Sequence, residues 1–316
     1  MSDMSDMSDK CLINATYITV VYYSAGQDTN LYPPQYETTA MERTGVFQTG
    51  DGSPLQYIIC GEGPVIVFVH GYGMTMEEWP SRMISMLASS FTVVRFNLRG
   101  VAGNANTDNP FTIPLAAEDL YELVNELVTG IAGIAEITEG PVTIVGFSMG
   151  GMIAQEFAIR HPELTDRLVL INTHCGGIKA IPPRQWVIEE MASTPATMEE
   201  YIMRAGRLLL PEKWRKKHPD PMSWFPDFGE PSNQEAIKDQ FDAMSSWEGT
   251  FSLLHQITTP VLVISGERER HCNTALKQLH PDFTDRRRTL SHPEWRRARA
   301  DLPVSGEGGG YYQAVY

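Results

Sequence analysis

Cysteine, long apolar runs and positive charge are all scarce in this chain of 316 residues. The four cysteines lie far apart, and none forms a CxxC or Cys/His pair with the spacing of a zinc site. No apolar run is long enough to predict a membrane-spanning helix. Because 25 Lys and Arg are set against 39 Asp and Glu, the net charge of −14 argues against a nucleic-acid partner.

The N-terminus is low in complexity and carries no targeting signal that we recognise. Its triple Met-Ser-Asp repeat is acidic where a signal peptide would be basic, so we expect a cytoplasmic protein. The cysteines are then interpreted as reduced thiols, although their number also allows two disulfides. We assign residues 1–43 to an irregular N-terminal extension.

Strand and helix patterns alternate from residue 44 onward. A hairpin is predicted around Asp51 and Gly52, and leucines at helical spacing predict a helix over 114–133. Alternation of this kind favours a mostly parallel sheet covered by helices on both faces. Further strands are predicted from apolar runs rich in β-branched residues at 64–70, 91–97, 141–147, 166–172 and 260–266.

The stretch from 176 to 250 breaks this rhythm. It is helical in propensity, is interrupted by eight prolines and contains four of the six tryptophans. We interpret it as a helical insertion that divides one core into two parts, 44–175 and 251–269.

A serine stands at the corner between a predicted strand and a predicted helix. Gly146-Phe147-Ser148-Met149-Gly150 fits the pattern G-x-S-x-G, which exposes a serine oxygen on a sharp turn. The helix N-terminus behind it offers N–H groups to a developing oxyanion. The simpler alternative is an ordinary turn whose serine caps the helix.

A glycine-rich turn, "HGYG" at 70–73, follows the strand predicted at 64–70. A turn at the carboxyl end of a strand can present a second N–H donor to the same oxyanion. We interpret His70 as a structural histidine, because it lies at the end of a buried strand.

These motifs, in this order and with "FNLRGVAG" and "PVLVISGERE", resemble the α/β-hydrolase fold family over residues 44–269. The resemblance is to its lid-bearing branch of esterases, enol-lactonases, C–C hydrolases and cofactor-free haloperoxidases. It implies that Ser148 is the nucleophile, that the N–H groups of Tyr72 and Met149 form the oxyanion hole, and that no metal or organic cofactor is needed. Asn97 replaces an aspartate usual in the family, at a structural position.

The resemblance also implies an acid and a histidine. Glu269 occupies the position of the acid, and Glu267 is the neighbour most easily mistaken for it. His292 is the histidine at roughly the family's spacing. The tail, 270–316, is nevertheless atypical, since it is dense in arginine and shows no apolar strand before any histidine. A shifted reading frame or alternative exon near codon 269 would explain this break, and the last strand would then be missing.

We therefore expect an α/β-hydrolase fold with a helical lid, acting as a serine hydrolase on a small apolar carboxylic ester or lactone. Two alternatives stay open. One is C–C bond hydrolysis or cofactor-free perhydrolysis on the same serine, because pocket shape decides between these reactions. The other is a catalytically impaired, ligand-binding product whose tail is irregular and holds His292 away from Ser148.

Overall fold

A computed structural model describes residues 18–23, 41–102, 109–130, 139–177, 183–193, 195–225, 227–228 and 234–266. Within these ranges eight strands form one sheet in the order β1-β8-β7-β6-β4-β5-β3-β2. Only the β2–β3 and β3–β5 pairs are antiparallel. The strands are β1 (Ile18–Tyr23), β2 (Arg43–Gln48), β3 (Pro54–Cys60), β4 (Val65–Val69), β5 (Thr92–Phe96), β6 (Val142–Phe147), β7 (Thr165–Ile171) and β8 (Val261–Gly266).

Helices cover both faces of this sheet, as predicted. Alternate residues of β4 enter two separate apolar clusters, because successive side chains of a strand point to opposite faces. One cluster includes α2 (Ile113–Thr129) and α3 (Met149–Arg160), and the other includes α1 (Ser81–Ala88). The predicted mostly parallel sheet with helices on both faces is confirmed.

The helix α2 shows how local chemistry sets an element's ends. The Thr112 hydroxyl accepts a hydrogen bond from the Leu115 N–H, which caps the first turn. At the other end Gly130 adopts a left-handed conformation with φ of 63°, and the helix ends at Thr129. The predicted helix ends four residues later, at residue 133. Leucines at the predicted spacing are buried against the sheet.

The first strand corrects the prediction for the N-terminal extension. Residues 18–23 are not irregular but form β1, which pairs in parallel with β8 from Ile18↔Val261 to Tyr23↔Gly266. Its sequence, ITVVYY, is rich in β-branched and aromatic residues, and these fit a pleated sheet better than a loop. In the described part of the chain, β1 therefore covers the edge of β8 that we expected a missing last strand to leave open.

The segment between β7 and β8 is helical, as its composition predicts, and we call it the insertion. Its described helices are α4 (Gln185–Ala192), α5 (Met198–Leu209), α6 (Glu212–Lys217) and α7 (Gln234–Ser246). The Thr197 hydroxyl caps α5 by accepting from the Glu200 N–H. The domain boundaries given above remain predictions.

Other sequence-level expectations bear on cysteines, metals and membranes. Cys60 and Cys175 are buried and form no disulfide within the described residues, whereas Cys11 and Cys272 lie outside those residues. In the ranges described, no group of three or more His, Cys, Asp or Glu side chains is placed to hold a metal ion. No helix within those ranges has the length and apolarity needed to cross a membrane.

Candidate active site

Ser148 lies at the corner between β6 and α3, at the carboxyl edge of the sheet. Its backbone has φ of 52° and ψ of −117°, a region that a residue with a Cβ rarely adopts. Two contacts with β7 and the loop after it hold the corner in place. The Ser148 N–H donates to the Ile171 carbonyl at 2.9 Å, and the Thr173 hydroxyl donates to the Ser148 carbonyl at 2.7 Å.

Two glycines allow this corner to form. A Cβ at Gly146 would collide with the Gly150 carbonyl, and a Cβ at Gly150 would collide with the Val69 carbonyl of the neighbouring strand. Both obstacles are backbone atoms, so a side chain could not be accommodated by a change of rotamer. The G-x-S-x-G spacing is therefore a packing requirement of the strand-to-helix turn.

Two backbone N–H groups, those of Met149 and Tyr72, have no acceptor in the hydrogen bonding of the described residues. As the first residue of α3, Met149 has no intrahelical acceptor for its N–H. Among the described residues the Tyr72 N–H, on the glycine-rich turn after β4, has no acceptor either. These are the two donors that the family resemblance implies for an oxyanion hole, and their role there remains a prediction.

The match to a family model decides the protein's family. The alpha/beta hydrolase family model matches residues 66–312. The chain belongs to the alpha/beta hydrolase family. The match includes the serine corner, the insertion and the tail that carries Glu269 and His292.

Individual relatives of this alpha/beta hydrolase share modest sequence identity with it over part of its length. An uncharacterized protein of Mycobacterium tuberculosis is 30% identical over 168 residues, which are 52% of this chain and 44% of that protein. The chain thus matches less than half the length of this curated relative.

Two solved structures share the fold at low identity. A hydrolase from Pseudomonas aeruginosa superposes with a TM-score of 0.61 at 22% identity, over 75% of this chain and 85% of its own. An enol-lactonase from Burkholderia xenovorans has a TM-score of 0.60 at 21% identity, over 74% and 86% respectively. At these identities the likeness is evidence for the fold alone.

His70 occupies a structural position in this hydrolase. It is fully buried; its Nδ1 is 3.0 Å from the Gly71 carbonyl, and its Nε2 accepts from the Leu98 N–H at 3.2 Å. A carbonyl can only accept and an N–H can only donate, so these contacts select the neutral ring with the proton on Nδ1. Burial lowers the pKa of His70 to about 4, which favours the same neutral form.

The His70 contact also orients the peptide that carries the Tyr72 N–H. The Gly71 carbonyl and the Tyr72 N–H belong to one planar trans peptide and point in opposite directions. The His70 Nδ1–H and the Met74 N–H both bind that carbonyl, and the second bond measures 3.3 Å. These two bonds to the Gly71 carbonyl therefore direct the Tyr72 N–H away from His70.

Asn97 and Arg99 hold the neighbouring loop. The Asn97 carboxamide accepts from the Met76 N–H at 2.8 Å, so the amide performs the structural role expected of an aspartate here. Arg99 binds Asp119 through two nitrogens and binds Asp51 at 3.0 Å. This network fastens the loop after β5 to α2 and to the β2–β3 hairpin.

His174 is a histidine close to the serine corner, but its hydrogen bonding does not suit a base. It follows Thr173, whose hydroxyl binds the Ser148 carbonyl. Its Nδ1 accepts from the Gly176 N–H at 3.0 Å, so the proton of the neutral ring lies on Nε2. Burial lowers the pKa of His174, which keeps the ring neutral. It is therefore a hydrogen-bond donor next to the corner, a role for which the sequence carries no signal.

A cavity of about 250 Å³ lies between the core and the insertion. Phe147, the residue before Ser148, forms part of its wall. Its wall is mainly apolar, and Glu78 and Asp227 are the two ionisable residues among those that line it. The lining residues are Met74, Glu78, Trp79, Pro80, Met83, Phe147, Leu209, Phe225, Asp227 and Phe228. Glu269 and His292 lie outside the described residues, so their positions relative to Ser148 remain predictions.

Proposed function

We propose that this protein is a serine hydrolase that cleaves a small, apolar carboxylic ester or lactone through an acyl-enzyme. The observation that carries the proposal is the strained corner at Ser148, together with the N–H groups of Met149 and Tyr72, which have no acceptor within the described ranges. Strain of this kind costs on the order of 1–3 kcal/mol and persists where the surroundings impose it, commonly at active sites. A capping serine would need neither the strain nor the second donor.

The reaction follows from the roles of these groups. The Ser148 oxygen attacks the carbonyl carbon, its proton passes to the proposed base His292, and the new oxyanion accepts from the N–H groups of Tyr72 and Met149. The histidine then gives that proton to the departing alcohol oxygen, and water hydrolyses the acyl-enzyme. Glu269 is proposed to orient the imidazole and to stabilise its protonated form. The family match through residue 312 supports the assignment of Glu269 and His292.

The cavity supports the choice of an apolar substrate. It borders Phe147, the residue next to the nucleophile, and three further aromatic side chains line it. Burial of an apolar acyl or alkyl group there would contribute roughly 25 cal/mol for each Å² removed from water. We propose the cytoplasm as the site of action and the insertion as the lid over the substrate.

The first prediction tests the nucleophile and the base. A fluorophosphonate probe should label the wild-type chain, and Ser148→Ala should abolish labelling, whereas the exposed control Ser89→Ala should label normally. If His292 is the base, His292→Ala should reduce ester turnover by up to about 10⁶-fold, with a small residual rate from the oxyanion hole.

The outcomes separate the candidate functions. Labelling that survives Ser148→Ala would refute Ser148 as the nucleophile. Turnover that is equal in wild type and His292→Ala would refute His292 as the base. A wild-type chain that is neither labelled nor active would favour the second candidate, a ligand-binding protein with an atypical tail. C–C hydrolysis or perhydrolysis on Ser148 is tested by offering a vinylogous diketone or acetate with peroxide to the same variants.

A further inference from the structure

Two helices of the insertion contact the glycine-rich turn, far from it in sequence. The Gly73 N–H donates to Gln240 Oε1 of α7 at 2.8 Å. The Tyr201 hydroxyl of α5 donates to the Gly73 carbonyl, also at 2.8 Å. Both polar groups of Gly73 are therefore bound by side chains that lie 167 and 128 positions away.

These contacts are buried and mutually supported. Gln240 and Tyr201 are 1% and 2% exposed. The Arg204 guanidinium carbon lies 5.6 Å from the ring centres of both Tyr72 and Tyr201, within the range of cation–π attraction. Arg204 also donates to the Ser193 carbonyl at 2.6 Å, which ties α5 to the end of α4.

The side-chain amide of Gln240 binds Gly73 through its oxygen, and its nitrogen makes no comparable contact in the described structure. Its Nε2 is buried without a hydrogen-bond partner among the described residues, which costs free energy. A methionine or leucine at this position would avoid that cost. The hydrogen bond to Gly73 is the interaction in the described structure that a nonpolar side chain could not make.

The contacts fall on consecutive peptide planes. The first plane carries the Gly71 carbonyl and the Tyr72 N–H, and His70 holds it at that carbonyl. Gln240 holds the second plane at the Gly73 N–H. Tyr201 holds the third plane at the Gly73 carbonyl. Gly73 has φ of 69°, where its backbone would be free to rearrange without such partners. Rotation about the φ or ψ bonds that join these planes would move the Tyr72 N–H.

We propose that Gln240 and Tyr201 are positioning residues through which the insertion fixes the oxyanion turn, so that the Tyr72 donor is competent only when the insertion is seated. This inference rests on the proposed function for its catalytic consequence, but the fixing of the turn is a physical claim of its own. It makes the insertion part of the catalytic geometry as well as a cover for the substrate.

The test uses the full chain and two variants that remove one polar contact each. Gln240→Met keeps the volume and removes the acceptor, and Tyr201→Phe keeps the ring and removes the hydroxyl. In Gln240→Met we expect the Gly73 amide to exchange with deuterium about tenfold faster in NMR measurements. In both variants kcat for a p-nitrophenyl ester should fall about 10- to 100-fold, less than the loss of a whole oxyanion donor, with KM within twofold.

Matched controls separate positioning from general loosening. Lys238→Met introduces the same residue on an exposed face of α7, and Tyr121→Phe removes a hydroxyl remote from the turn. Neither should change Gly73 exchange or kcat. Because Gln240 and Tyr201 act on one residue, the double variant should lose less than the product of the two single losses.

Each outcome decides the inference. Unchanged Gly73 exchange in Gln240→Met, or faster exchange with kcat unchanged in both variants of an active protein, would overturn it. A rise in KM without a fall in kcat would also overturn it, because that pattern indicates an effect on substrate binding alone. A wild-type chain without labelling or turnover would refute the proposed function, and Gly73 exchange would then decide the fixing of the turn independently.

Discussion

Glu78 is a carboxylic acid placed where a carboxylate would be costly. It is 3% exposed at the edge of the apolar cavity, and burial raises its pKa to about 8. The Tyr201 hydroxyl is 3.1 Å from both of its oxygens. A neutral Glu78 can donate to that hydroxyl and leave the Tyr201 proton for the Gly73 carbonyl, whereas a charged Glu78 would compete for that proton.

The second prediction concerns the pH dependence of stability. The native state holds the Glu78 proton up to about pH 8, while the unfolded chain releases it near its ordinary pKa of 4.5. The unfolded state therefore binds fewer protons within this window, and the wild-type chain should lose stability as pH rises through it. Between pH 6 and 9 this amounts to about 2–3 kcal/mol in the free energy of unfolding.

Urea unfolding at pH 6 and 9 checks this expectation. Glu78→Gln should remove most of the difference, whereas the exposed neighbour control Glu77→Gln should retain it. Tyr201, Arg204 and Asp227 are present in all three proteins, so the comparison isolates Glu78. Equal pH dependence in wild type and Glu78→Gln would contradict the assignment.

At the scale of the element, β1 pairs with the edge of β8 that a missing last strand would leave open. An uncovered edge exposes unpaired N–H and carbonyl groups to other chains. Six residues of β1 pair with β8 in parallel and bind those groups. The N-terminal segment therefore has a structural role that its distance from the core in sequence conceals.

The third prediction uses proline to test this pairing. Successive N–H groups of a strand point in opposite directions, so only one of Val20 and Val21 donates to β8. Proline at that position should lower the free energy of unfolding by about 1–3 kcal/mol, because a carbonyl of β8 loses its donor. Proline at the other position serves as the control. Equal urea midpoints for wild type and both variants would show that β1 does not stabilise the sheet.

At the scale of the molecule, core and insertion together form the apolar cavity. Phe147 and Trp79 come from the core, while Leu209 and Phe228 come from the insertion. The net charge of −14 further disfavours anionic substrates. The proposed selectivity for a neutral apolar group would thus depend on the assembled chain and not on any single segment.

The fourth prediction follows from the size of this cavity. Medium-chain aryl esters should turn over faster than acetyl esters, by about tenfold for each 1.4 kcal/mol of additional transition-state binding. Leu209→Trp should fill the space and reverse the preference, whereas the exposed control Leu253→Trp should not. Equal rates for both ester lengths, or a preference for charged esters, would argue against the cavity as the substrate pocket.

Local sequence was sufficient to predict the serine corner and most of the sheet. The glycines around Ser148 are required within a few residues, and β-branched runs identify strands wherever they pair, so short patterns carry this information. The structural role of His70 was also predictable, because it follows directly from a buried strand. The family match confirms the fold class inferred from these patterns.

The strand order and the contacts between distant segments could not be predicted in this way. Nothing around residues 18–23 indicates a partner at β8, and nothing around Gln240 indicates Gly73, which is 167 positions away. The protonated state of Glu78 likewise depends on the aromatic wall that three separate segments assemble around it. Short-range patterns record backbone geometry, whereas hydrogen-bond partners, burial and pKa depend on which surfaces meet when the chain folds.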